Sequence, residues 1–403
     1  MKAVVFHGVG DIRLDDVPEP TLKEPTDAIV RLTASAICGT DLHMVRGTMP
    51  GMVPGTILGH EGVGVVEDFG PEVRNLKRGE RVVIAATIAC GVCSYCRVGY
   101  FAMCDKANPN GPQAGGAFFG GPKESGAFNG LQAERARIPY ANVGLVKLPD
   151  EVSDEDAIIL SDIFPTGYFG AKLAEIAPGN SVAVFGCGPV GQCAIASARL
   201  LGAGRILAID NNPSRLDVAR RQGAEAINFD AENPVQVIRD LTAGIGVDRA
   251  IDAVGVDASR PHSGPAAGQM QQRAQEFQQE VQEIAPVVHP SNGNWRPGDA
   301  PPLALEWAVQ GLAKAGTLSI IGIYPQTDRF FPIGLAMNRN LTVNMGNCHH
   351  RKYLPRLVDL VRNGTIKPSQ IISQQKPLHS AVEAYKAFDE HKEGWVKVEL
   401  QPA

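Results

Sequence analysis

The sequence predicts an α/β protein in which a mainly β portion leads into a doubly wound parallel sheet, and three observations predict it. At 403 residues the chain exceeds one ordinary domain, and about two or three are expected for that length. Residues 1–150 are rich in Gly and Pro and carry short β-type runs, Ala28–Leu32, Gly62–Val66 and Arg81–Ala85, with turn residues between them. From about Ser181 short apolar strands alternate with helical stretches, the signature of βαβ units around a parallel sheet.

The second portion reads in order. SVAVF is a strand, Val190–Leu201 an apolar helix, and RILAID a strand. A helix then starts near Pro213 with Asn211 or Asn212 as its cap. AEAINF, a helix over Val235–Leu241, and VDRAIDAVG continue the series, and TLSIIGIY and LTVNMG supply two more strands. Amphipathic helices follow over Leu354–Asn363 and Ala381–Glu390, and WVKVEL is a closing strand. The series is interrupted over roughly 258–302. There Met270, Ala274, Phe277, Val281 and Ile284 share one helical face, ahead of a Pro- and Gly-rich loop. Such a stripe usually packs on a sheet or a partner subunit, and a flap over a bound ligand is the sharper alternative.

The net charge of −5, without a basic cluster, gives no reason to expect nucleic acid or an anionic membrane as partner. No apolar run approaches the roughly 18 residues of a membrane span. The N-terminus MKAVVFHGVGD lacks the features of a signal peptide, so a cytoplasmic location is expected. Of eight cysteines, Cys90, Cys93, Cys96 and Cys104 fall within 15 residues. In a reducing compartment that spacing favours one tetrahedral zinc over disulfides, and four thiolates close the shell, which makes the metal structural.

Gly186, Gly188 and Gly191 form GCGPVG directly after a strand, with Pro189 and Val190 opening the next helix. Asp210 ends the following strand, 19 residues past Gly191. This is the context of a dinucleotide site in a Rossmann sheet. Gly186 permits the turn, Gly188 lets the pyrophosphate approach, and Gly191 lets helix and sheet pack closely. The helix N-terminus presents free N–H groups to the phosphates. Asp210 either accepts from the ribose hydroxyls, favouring NAD over NADP, or merely caps the next turn. Arg215 nearby softens that preference. Two further motifs, ICGTDLH (Ile37–His43) and GHEGVG (Gly59–Gly64), offer a thiol and two histidines. Taken singly, Cys38 is as well explained as a small buried hydrophobe and His43 as a surface histidine.

CGTD-x-H, GHE-x-x-G, the four-cysteine segment and the later G-x-G-x-x-G, in that order, resemble the zinc-containing medium-chain dehydrogenase/reductase superfamily, the alcohol dehydrogenases. LSDIFPTGYFGA (Leu160–Ala171) resembles the glutathione-independent formaldehyde dehydrogenase branch. The resemblance covers the chain except for the 258–302 insertion. It implies a GroES-like catalytic domain at 1–163 and 341–403, with a structural-zinc lobe at about 88–106, and a Rossmann coenzyme domain at 164–340. It also implies two zinc ions per subunit, NAD(H), an alcohol or aldehyde substrate and a homo-oligomer, tetramer favoured over dimer. The catalytic zinc is then held by Cys38, His60 and Asp162, where many relatives carry cysteine in place of Asp162. A helix cap is the competing role for Asp162. Asp41 orients His60, Glu61 approaches the metal during ligand exchange, and Thr40 passes the alcohol proton through a ribose hydroxyl to His43. Lys397 is expected near the pyrophosphate. The small Ala86 leaves room for ring-bearing substrates. The Gln- and Pro-rich insertion differs from that of the formaldehyde-oxidising enzymes, which favours freely exchanging NAD over the alternative of a dehydrogenase or dismutase that retains it. A non-catalytic coenzyme-binding protein is the reading from another class, and the presence of all three ligands argues against it.

Overall fold

A computed structural model of the chain describes residues 1–402. Its two large sheets follow the two sequence patterns. Ala28–Ile37, Gly62–Phe69 and Arg81–Ile84 pair antiparallel at the centre of a seven-stranded sheet. The C-terminal strands Gln374–Pro377 and Val398–Gln401 complete one side of it, Val398 pairing with Ile37, so the chain's end returns to the first domain. The second sheet is six-stranded and wholly parallel. In spatial order its strands are Glu225–Asn228, Arg205–Asp210, Ser181–Phe185, Val247–Asp252, Leu312–Ile320 and Thr342–Met345. The order reverses beside Ser181–Phe185, and the crevice at such a reversal, beyond the strands' carboxyl ends, is where ligands bind in open parallel sheets.

The strand Thr342–Met345 pairs with Leu312–Ile320, so the coenzyme domain runs past the expected boundary at 340. Asn212, not Asn211, caps the helix Pro213–Arg221, its side chain accepting from the Arg215 N–H. Parallel strands buried on both faces read as unbroken apolar runs, and Val182–Phe185 and Ile206–Ile209 are all buried.

The insertion forms two helices, Ala267–Gln272 and Ala274–Ile284, instead of one. They part at Arg273, whose side chain pairs with Glu276 and Glu306, and Ala274 and Val281 are only half-buried. Met270 and Phe277 pack with Trp307 on the parallel-sheet core. The loop beyond crosses to the other domain, where Trp295, 3% exposed, enters the core with Tyr385 and Phe388. Neither a sheet cover nor a flap anticipates that crossing. No helix among the described residues is long and apolar enough to cross a membrane.

Candidate active site and metal centres

Between the domains lies a cleft of about 780 Å³. Cys38, Thr40, His43, His60, Ala86 and Asp162 line it from the catalytic domain, and Gly186, Gly188, Pro189, Val190, Asp210 and Arg215 from the parallel sheet.

Local sequence explains each placement. Cys38 ends a buried strand and stands before the helix Gly39–Arg46. Its N–H is taken by Asp41 Oδ2 at 2.9 Å. Asp162 breaks the chain between the helices Asp154–Ser161 and Ile163–Leu173 and makes no side-chain cap bond, so the cap role fails. Its Oδ2 instead lies 3.6 Å from Cys38 Sγ and 3.2 Å from His60 Nε2. Oδ1 accepts from His350 Nε2 at 2.7 Å and from Thr166 Oγ1 at 3.1 Å. Burial, the strongest influence on the Asp162 carboxyl, opposes its charge, yet the His350 and His60 contacts outweigh it and hold the group well below the usual range.

One donor atom each from Cys38, His60, Glu61 and Asp162 lie within 4.8 Å of one another, all buried. Burial pushes the Cys38 thiol up, so a cation is needed to draw a thiolate from it. His60 Nδ1 faces Asp41 Oδ1 at 3.2 Å, and neither atom has another partner. A histidine ligand whose far nitrogen faces a carboxylate is the usual outer arrangement of a zinc site. Thiol, imidazole and carboxylate with an open side on the cleft fit a catalytic zinc.

Lys397 does not line the cleft. It is fully buried, its Nζ bonded to both oxygens of Glu61, at 2.7 and 2.5 Å, and to the Ile37 carbonyl at 3.0 Å. It immediately precedes the strand Val398–Gln401, whose pairing with Ala28–Ile37 draws it inside the catalytic domain. Glu61 is therefore engaged, and neither it nor Asp41 lines the cleft. Lys397→Met leaves a buried carboxylate without its counter-ion and is expected to cost about 3–5 kcal/mol of stability. Denaturant unfolding checks this, and adding Glu61→Gln should restore part of the loss. Additive losses would mean that the pair is not coupled.

The four cysteines of the lobe also lie within 4.8 Å of one another, and all eight cysteines of the chain are free. Burial raises the Cys93 thiol, but the N–H groups of Cys96 and Asp105 outweigh it and bring it down to about 7. Buried, clustered and unbridged, the four fit a closed structural zinc site.

At the other end, Gly186 has φ +85°, and a Cβ on Gly191 would lie 1.8 Å from the Gly186 carbonyl oxygen. Asp210 accepts from the Cys187 N–H at 2.7 Å through Oδ2 and from the N–H groups of Asn211 and Asn212 through Oδ1. It therefore shapes its own turn and also faces the cleft, with Arg215 at 4.0 Å. Sequence reasoning missed His350, Arg46, Asp257 and His391 in the cleft wall. For His350 a signal existed: it follows closely on the carboxyl end of a parallel strand.

Fold and site together define a two-domain dehydrogenase with a parallel-sheet coenzyme domain and a metal-binding catalytic domain. Residues 24–150 match the alcohol dehydrogenase GroES-like domain family, and 189–263 the zinc-binding dehydrogenase family. The chain is 36% identical to an uncharacterised zinc-type alcohol dehydrogenase-like protein of Bacillus subtilis, over all of both chains. It is 40% identical to a glutathione-independent formaldehyde dehydrogenase of Pseudomonas aeruginosa, over 65% of this chain and 68% of that one. The solved alcohol dehydrogenase of Thermus sp. ATN1 superposes with a TM-score of 0.80 at 34% identity, covering 100% of each chain. The chain belongs to the zinc-containing alcohol dehydrogenase family of the medium-chain superfamily, and it is a zinc-dependent alcohol oxidoreductase.

Proposed function

We propose that the enzyme interconverts alcohols and aldehydes with NAD(H), taking coenzyme freely from solution, with one catalytic and one structural zinc per subunit. The observation that carries this reading is the single cleft lined at one end by Cys38, His60 and Asp162 and at the other by the glycine turn and Asp210.

When bound to Cys38, His60 and Asp162, zinc supplies Lewis acidity that acidifies an alcohol and polarises an aldehyde. Asp41 holds the His60 ring. Thr40, on the first turn of its helix, would accept the hydroxyl proton and hand it on toward His43, with a ribose hydroxyl of bound coenzyme between them. Bound nicotinamide would supply the hydride acceptor or donor. The N-terminus of the helix Pro189–Leu200 and Asp210 both border the cleft, where the helix would hold the coenzyme pyrophosphate and Asp210 its ribose hydroxyls. Asp210→Ala is expected to raise the NADP-to-NAD ratio of kcat/KM by about one to two orders of magnitude, because it removes a close like-charge repulsion. An unchanged ratio would leave Asp210 with its turn alone.

Free exchange is supported by the insertion, which gives the cleft only Ala258 and Ser259, at its very start. The second reading is a formaldehyde dehydrogenase or dismutase with retained NAD, and the likeness to a glutathione-independent formaldehyde dehydrogenase supports its substrate class. Purified enzyme without added coenzyme separates the two. The first reading expects no turnover, the second disproportionation of an aldehyde. The family resemblance supports a homo-oligomer, tetramer before dimer, and the eight unbridged cysteines support a cytoplasmic location.

A further inference from the structure

Arg46 closes the helix Gly39–Arg46 where the two domains meet. Its Nε donates to Asp389 Oδ1 at 2.7 Å and a terminal nitrogen to Asp257 Oδ2 at 2.9 Å. Asp389 ends the catalytic-domain helix Ala381–Asp389 and is held also by the Trp295 N–H, at 2.7 Å. Asp257 lies five residues past the parallel strand Val247–Asp252, so Arg46 joins the domains. None of the three side chains is more than 9% exposed.

The same Asp257 oxygen stands 2.9 Å from His43 Nδ1. Burial, the strongest influence on Asp257, opposes its charge, but His43 and Arg46 outweigh it and hold the carboxyl well below its usual range. A carboxylate only accepts hydrogen bonds, so the charge facing Nδ1 favours the tautomer with the hydrogen there. Thr48 Oγ1 lies 3.0 Å from Nδ1, 3.3 Å from the His43 carbonyl and 3.5 Å from the same Asp257 oxygen, and donating to either of those oxygens leaves the Nδ1 hydrogen to Asp257. The lone pair of neutral His43 is left on Nε2.

We propose that Asp257, reaching across from the coenzyme domain, is a positioning residue that sets His43 in the tautomer whose Nε2 accepts the departing alcohol proton, and that it does so only while the domains are together. The proposal rests on the relay role given to His43 above. The accepted proton sits on Nε2 and leaves to water through the cleft, while Nδ1–H stays with Asp257. Arg46 shares the carboxylate, which keeps Asp257 from trapping the imidazolium. A base oriented by a buried carboxylate is a recurring catalytic device. The other charged or titratable groups around this junction are Asp389, His391 and Arg215.

Asp257→Asn tests it. Expected is a fall of about 10- to 100-fold in kcat for alcohol oxidation at pH 7, recovering toward pH ~10 as hydroxide replaces the relay, with zinc content and the KM for NAD nearly unchanged. His43→Gln should lose as much, and the double variant no more than either. A variant with the wild-type pH profile, or with only the coenzyme KM raised, would reduce Asp257 to a clasp between domains and overturn the proposal. If Asp257→Asn does not fold, nitrogen-15 spectra of histidine-labelled wild type, with His43→Gln to assign the signal, decide instead. Nδ1–H supports the proposal, and Nε2–H overturns it. Failure of the parent reading is separately visible: wild-type enzyme would show no NAD-dependent alcohol oxidation, while the histidine spectrum would still report the tautomer.

Discussion

Cys38→Ala is expected to lower kcat/KM for alcohol oxidation by about three orders of magnitude or more, with one zinc lost per subunit and the overall fold kept. The size follows from what the metal supplies. Zinc brings the pKa of a bound water from 15.7 to about 7, and an alcohol deprived of that help keeps its proton near neutral pH. The thiol belongs to the donor cluster and lines the cleft with His60 and Asp162, and its removal leaves those two at 3.2 Å from each other. Asp162→Asn keeps an oxygen donor and loses a charge, so its loss should be smaller. Steady-state rates with metal analysis on the same samples check both. A Cys38→Ala enzyme retaining a tenth of the wild-type rate would be incompatible with zinc catalysis at this place.

Cys104→Ser is expected to have the largest effect on stability, lowering the melting temperature by more than about 10 °C, because structural zinc contributes on the order of 10–16 kcal/mol of apparent binding energy to folding its loop. The four cysteines are themselves core, packed with Ile88, Ala117 and Phe119. The lobe also leans on the start of the helix His350–Arg362. The Ala102 N–H meets His349 Nδ1 at 3.3 Å, and Tyr100 stacks edge-on against the same ring. His350, beside it, holds Asp162. Activity should therefore fall with the lobe, although no lobe cysteine lines the cleft. Differential scanning calorimetry with and without a strong chelator measures the effect. A melting curve indifferent to both would mean that the four thiols hold no metal.

How much of this was legible in the sequence depended on whether a signal was local. The parallel sheet was, because its strands are continuous apolar runs such as Val182–Phe185, and so was the glycine turn, whose spacing carries its own geometry. The cysteine lobe was legible for the same reason. Convergence of Cys38, His60 and Asp162 was not. They are separated by up to 124 positions, and only resemblance brought them together beforehand. The burial of Lys397 was not legible, because the resemblance offered only a basic residue near the pyrophosphate, whereas pairing of the last strand with Ala28–Ile37 brings this one to a buried glutamate. Asp257 and Arg46 were invisible because an ion pair across two domains, 211 positions apart, has no sequence period. The insertion's stripe was read as packing, and Met270 and Phe277 do pack on the sheet core, but the break at Arg273 and the crossing of Trp295 have no periodic signature.

The most direct test of the whole account is crystallography of the active enzyme with NADH, collecting anomalous data on both sides of the zinc absorption edge. Two peaks per subunit are expected, one inside the four cysteines and one between Cys38, His60 and Asp162 on the nicotinamide side of the cleft. A catalytically competent crystal with density for zinc only in the cysteine lobe would contradict it.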